Sequence, residues 1–177
     1  AYVLYEAPLF ISLMIAKSVY PIFVQSFQDN KIKFFELYAT LSSYMTLLSY
    51  LIVLFIVVFH EILIQITFGD SFEESSKILM LLSFGMIPMF NACLRSSYIT
   101  ISGNQKIILY TTVFSAVINV LLNIILINEY AVQGAVYATV ITQILSLFIL
   151  NIIFAETRNL FYIQVKSLIF MGIWRKR

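Results

Sequence analysis

Five apolar stretches long enough to cross a bilayer divide the chain, at about 2–24, 38–59, 78–101, 107–127 and 135–155. A membrane-crossing helix needs ~20 mostly apolar residues, and each stretch meets that length. Polar punctuation separates them: residues 25–33 (QSFQDNKIK), the acidic run GDSFEESS within 60–76, SGNQK at 102–106, and NEYAVQG at 128–134. Gly103-Asn104 breaks the third gap, and the fourth reads as a hairpin loop. The pattern predicts an all-α, polytopic transmembrane bundle over 1–155. Residues 156–177 form a basic segment that is interfacial or cytoplasmic. Within it, 160–174 is short for a sixth span and reads as a helix in the headgroup layer, with Lys166 snorkelling.

The polar residues inside the stretches fall on helical faces. Asn91, Arg95, Tyr98 and Ser102 lie at i, i+4, i+7 and i+11. An arginine at mid-bilayer costs ~2.5–3.5 kcal/mol on insertion scales, so this face requires a protein interior or a wet cavity. Pro88 one turn earlier removes a backbone hydrogen bond and presses on the Phe84 carbonyl, which predicts a hinge there. Glu6 and Lys17 share a stripe with Tyr2, Leu13 and Tyr20 but stand ~16 Å apart along the axis, too far to pair. Ser42, Thr46 and Ser49 form a face on the second stretch, and Thr112, Ser115, Asn119 and Asn123 one on the fourth. Thr139, Thr142, Gln143 and Ser146 occupy one side of the fifth. Hydroxyls can bond back to their own helix, so Asn119, Asn123 and Gln143 are the stronger signals. The candidate cavity residues are therefore Arg95, Lys17, Asn91, Asn119, Asn123 and Gln143.

Composition places the chain in the membrane. Charged residues make up 11% against a usual ~25% in soluble domains, hydrophobic residues 61%, and the mean hydropathy is +0.94. A net charge of +2 without a basic, aromatic-interleaved run argues against nucleic acid. With one cysteine, Cys93, in an apolar run, neither a disulfide framework nor a metal cluster is expected. No nucleophile–base pair, paired carboxylates or glycine-rich phosphate loop is present, so neither an enzyme nor a cofactor is expected. If the stretches alternate, eight cations (Lys31, Lys33, Lys106, Arg158, Lys166, Arg175, Lys176, Arg177) share one side, and the other carries only Lys77. The positive-inside rule makes the first side cytoplasmic, with the C-terminus. The chain starts at Ala1 in apolar sequence with no charged n-region, so a signal peptide is not expected and a longer parent protein is.

The punctuation also resembles a known family. Val19-Tyr20-Pro21-Ile22-Phe23 with Asp29-Asn30-Lys31, Phe68-Gly69 with Phe72 and Glu73-Glu74, and Ser102-Gly103-Asn104-Gln105-Lys106 occur in order. They are followed by Asn119-x-x-x-Asn123, Glu129-Tyr130, Gly134-Ala135 and Ala138-Thr139. Over about 1–155 this resembles the C-terminal half of polysaccharide (O-antigen-type) flippases of the multidrug/oligosaccharidyl-lipid/polysaccharide exporter superfamily. Ala131 departs from it, since the family often has glycine after that tyrosine. The resemblance implies most of one lobe of a two-lobed transporter whose N-terminal lobe lies elsewhere in the protein. It implies an undecaprenyl-diphosphate-linked glycan as cargo, flipped across the bacterial inner membrane among membrane lipid, with glycan polymerase machinery as a further candidate partner. No family motif fixes Arg95. Two alternatives stand beside it: a drug or cation exporter of the same superfamily, expected to have an acidic cavity, and a membrane enzyme polymerising lipid-linked sugars, expected to carry catalytic groups in large outer loops.

Overall fold

Asn30 makes the first turn. Its backbone is extended (φ −159°), and its side-chain oxygen accepts the N–H groups of Ile32 at 2.8 Å and Lys33 at 3.3 Å. Two donors that a new helix leaves unpaired are thereby satisfied. In this computed structural model, which describes residues 1–169, that cap ends α1 (Tyr2–Asp29) and starts α2 (Lys31–Phe68). Both run past their apolar stretches, and α1 continues through Pro21. At 38 residues, α2 is ~57 Å long against a ~30 Å hydrocarbon core, so its charged ends project beyond it.

Gly69 (φ 83°) stops α2, and a 3-10 turn at Asp70–Phe72 leads into α3 (Glu74–Ser83). The third stretch is broken: α3 and α4 (Met86–Ile101) meet at an angle of 44°. The bend falls at Phe84–Gly85, where the Gly85 N–H reaches only three residues back to the Leu82 carbonyl at 2.9 Å. Pro88 thus lies in the first turn of α4, where a missing N–H leaves nothing unsatisfied.

The helical stretch α5 (Gln105–Ile153) is interrupted at Ala131 (φ 49°, ψ −127°). It folds back there. Asn119 Nδ2 lies 3.3 Å from Thr142 Oγ1, although 23 residues of straight helix would span ~34 Å. A Cβ at Gly134 would overlap the Leu126 carbonyl, so glycine lets the arms, 105–130 and 132–153, close to contact. The loop expected at 128–134 has shrunk to one residue. An extended Phe154 and a 3-10 turn (Ala155–Thr157) then lead into α6 (Arg158–Ser167).

The fold is all-α, and the chain is a membrane protein. Among the described residues three helices are long and apolar enough to cross, the bent α3–α4 pair has the length and composition of a fourth span if it crosses as one, and each arm of α5 has spanning length. The surface is apolar: Phe10, Leu51, Phe55, Leu121 and Ile125 are all exposed, as helices facing lipid require. At the centre sits α4, packed on α1, α2 and the second arm of α5. Phe34 against Tyr98 (5.7 Å between ring centres) and Tyr110 stacked on Phe154 (6.3 Å) gather one end of the bundle. The turns bearing Lys31, Lys33, Lys106 and Arg158 share that end.

The segment after Glu156 was expected to lie flat in the headgroup layer. Instead its contacts climb α2: Gln164 meets Tyr38, Ser167 meets Thr46, and the Leu168 carbonyl accepts from Tyr50. Leu160, Gln164 and Ser167, at i, i+4 and i+7, bury one face into the bundle, and Lys166 is exposed. The terminal 170–177, with Arg175-Lys176-Arg177, lies outside the described residues.

Ala131 holds a backbone conformation that costs a residue with a Cβ ~1–3 kcal/mol. Ala131→Gly is expected to stabilise the protein by about 1 kcal/mol, net of glycine's greater freedom when unfolded. Thermal unfolding in detergent checks this, and an unchanged or lower midpoint would show that the corner is unstrained.

Candidate functional site

The polar face of α4 points into the bundle. Arg95 is 7% exposed and Asn91 1%. Arg95 Nη1 donates to the Ser146 carbonyl at 2.7 Å and, at 3.5 Å, to Asn151 Oδ1. Its Nε–H is buried without a partner. Tyr38 is the ionisable side chain facing it, and among the described residues no carboxylate pairs with it. Tyr98 and Ser102, on the same face, bond to the Glu156 and Ile99 carbonyls.

From Arg95 a continuous polar seam runs through the interior. Asn151 Nδ2 donates to Gln164 Oε1 at 2.7 Å, and Gln164 Nε2 to the Tyr38 hydroxyl at 3.2 Å. Ser167 Oγ bonds the Gln164 carbonyl and lies 3.2 Å from Thr46 Oγ1. Thr46 accepts from Asn91 Nδ2 at 2.9 Å, and Asn91 Oδ1 accepts from Ser42 at 2.6 Å. One network therefore joins α2, α4, α5 and α6.

The other candidates lie apart from it. Asn119 and Asn123 clamp the α5 hairpin: Asn123 Nδ2 donates to Asn119 Oδ1 at 2.9 Å while Asn119 reaches Thr142. Gln143 Nε2 donates to the Tyr5 hydroxyl at 2.8 Å. Its oxygen sits against Gly85 at the α3–α4 bend, where a Cβ would collide with it, and has no hydrogen-bond partner. Glu6 is exposed.

Lys17 is also exposed, midway along α1. It lines an open groove of about 450 Å³ between α1 and α4, with Tyr20, Cys93, Ser96, Ser97 and Thr100 on its walls. No ion pair holds it among the described residues. Six candidates thus separate into an interior seam (Arg95, Asn91), two helix clamps (Asn119 with Asn123, and Gln143), and one cation in an open groove.

The sequence reading missed Asn151, Gln164 and Tyr38. Their signal was weak but present: the i, i+4, i+7 run Leu160, Gln164, Ser167 marks a buried face on a segment otherwise read as surface helix.

Among known proteins, the chain is similar to an uncharacterized membrane protein of Methanocaldococcus jannaschii, at 33% identity over 107 residues. The match covers 60% of this chain and 26% of that protein, so the chain spans about a quarter of its relative's length. No family model matches, and neither does any solved structure.

Asn151 serves two partners, accepting from Arg95 and donating to Gln164. Asn151→Ala is expected to cost about 2 kcal/mol, because it leaves buried polar groups unsatisfied. Asn123→Ala, in the half-exposed hairpin clamp, is expected to cost less than about 1 kcal/mol. Equilibrium unfolding in mixed micelles measures both. Equal losses would mean that the interior seam has no special weight.

Proposed function

We propose that the chain forms most of one lobe of a two-lobed flippase that moves a lipid-linked oligosaccharide across the membrane by alternating access. The lysine-rich end would face the cytoplasm, and the carrier would be a polyprenyl diphosphate of the undecaprenyl type in a bacterial inner membrane. The ordered punctuation between the helices supports this, as do the intramembrane polar faces. The observation that carries the reading is Lys17, a mid-helix cation in an open groove with hydroxyls opposite it. Such a cation needs a counter-anion, and a diphosphate entering beside lipid would supply one while hydroxyls replace water around it.

In this reading Lys17 contacts the cargo headgroup in the state described. Arg95, enclosed by protein, positions α4 against α5. The bend at Phe84–Gly85 would let α3 and α4 change their mutual angle as the lobes rock. A cation or drug exporter fits less well, since the intramembrane charges are Arg95 and Lys17 against Glu6 alone.

Lys17→Ala in the full-length protein is expected to lower surface glycan export about tenfold or more, the size of one lost charge-assisted hydrogen bond. Lys17→Arg should retain most of it. Glycan display at matched protein abundance measures the effect. Undiminished export by Lys17→Ala would remove the groove from the transport path.

A further inference from the structure

The geometry points to a gate at the seam between α6 and the α2/α5 face: α6 swings on the Phe154–Thr157 joint, and its release admits water to Arg95. Three observations lead there. First, the most deeply buried part of the seam is largely polar. Of the three α6 residues that bury their side chains most deeply, Leu160 is apolar while Gln164 and Ser167 are polar. The bonds holding them (Gln164 to Tyr38 and Asn151, Ser167 to Thr46, Tyr50 to the Leu168 carbonyl) are of the kind water can replace. An apolar seam would lose its burial on opening, whereas a hydrogen-bonded one exchanges partners.

Second, the docked arrangement leaves Arg95 short. Its Nε–H is buried without an acceptor, and among the described residues no carboxylate balances its charge. Water entering behind α6 would accept the Nε–H and solvate the charge, so Arg95 favours the open seam while the amide and hydroxyl bonds favour the closed one. Opposing preferences of this kind narrow the free-energy gap between the closed and open seams.

Third, the helix is broken between α5 and α6. Phe154 is extended (φ −88°, ψ 122°) and interrupts the helix between α5 and α6. The Thr157 hydroxyl lies within reach of the Asn151 and Phe154 carbonyls across that joint.

The test uses distances between spin labels, which are indifferent to whether any glycan is moved. It therefore fails or succeeds independently of the transport reading. In the full-length protein with Cys93→Ser, labels go on Tyr44→Cys of α2 and Tyr162→Cys of α6, both exposed positions. Pulsed electron–electron resonance in lipid nanodiscs is expected to give two distance populations with the native seam. Gln164→Ala, which leaves Tyr38 and Asn151 without their partner, should enlarge the longer one several-fold. Asn123→Ala, in the remote hairpin clamp, should leave the distribution unchanged. If Gln164→Ala does not yield monodisperse protein, Tyr38→Phe removes a single bond of the same seam and should shift the populations in the same direction. A single distance population in both the native and weakened seams overturns the gate. An equal response to Asn123→Ala does so too.

Discussion

A guanidinium enclosed by protein without a carboxylate is the constraint around which this bundle is arranged. Removing such a charge from water is costly, and neutral dipoles offset only part of the cost. The chain supplies those dipoles from two places: the Ser146 carbonyl on the second arm of α5, and Asn151 seven residues short of α6. Asn151 must then be held, and Gln164 holds it. Gln164 in turn needs an acceptor, which Tyr38 provides. The place of α6 beside α2 follows from this sequence of needs as much as from burial of Leu160.

The same constraint explains why α4 is central. A helix with one strongly polar face and one apolar face has few places to go in lipid. Here the polar face meets α2 and α5, and Ala92, Cys93 and Ser96 on the far side form the wall of the α1–α4 groove. Small side chains on that wall leave the groove open, and they leave room for Lys17 to stay unpaired. The two cations are thus on opposite faces of one helix in different circumstances, the first enclosed and the second accessible.

Much of this was legible from residue types and spacing. The bend near Pro88 and the single face of Asn91, Arg95, Tyr98 and Ser102 both follow from local rules. Length and hydropathy identified the chain as a helical membrane protein. The direction in which the polar face points was not legible, because a 100° periodicity says which residues share a side and nothing about the neighbour on that side. The hairpin corner was legible as a turn and illegible in form: a loop of several residues was expected, and close packing at Gly134 reduced it to Ala131. The docking of α6 was hidden for a different reason. Its buried face is largely polar, and hydropathy reads polar residues as surface.

The stripe on α4 requires water or protein, and the two alternatives are separated by a few modest hydrogen bonds, each worth ~0.6 kcal/mol in bilayers. With margins so small, a seam filled by Gln164 and Ser167 differs little in energy from one filled by water. Helices that must only be held together are better served by close packing of small residues, such as Gly134 against Leu126 at the hairpin. Where the chain instead places amides and hydroxyls between helices, around a charge left partly unsatisfied, the arrangement suits a surface that is dry in one state and wet in another.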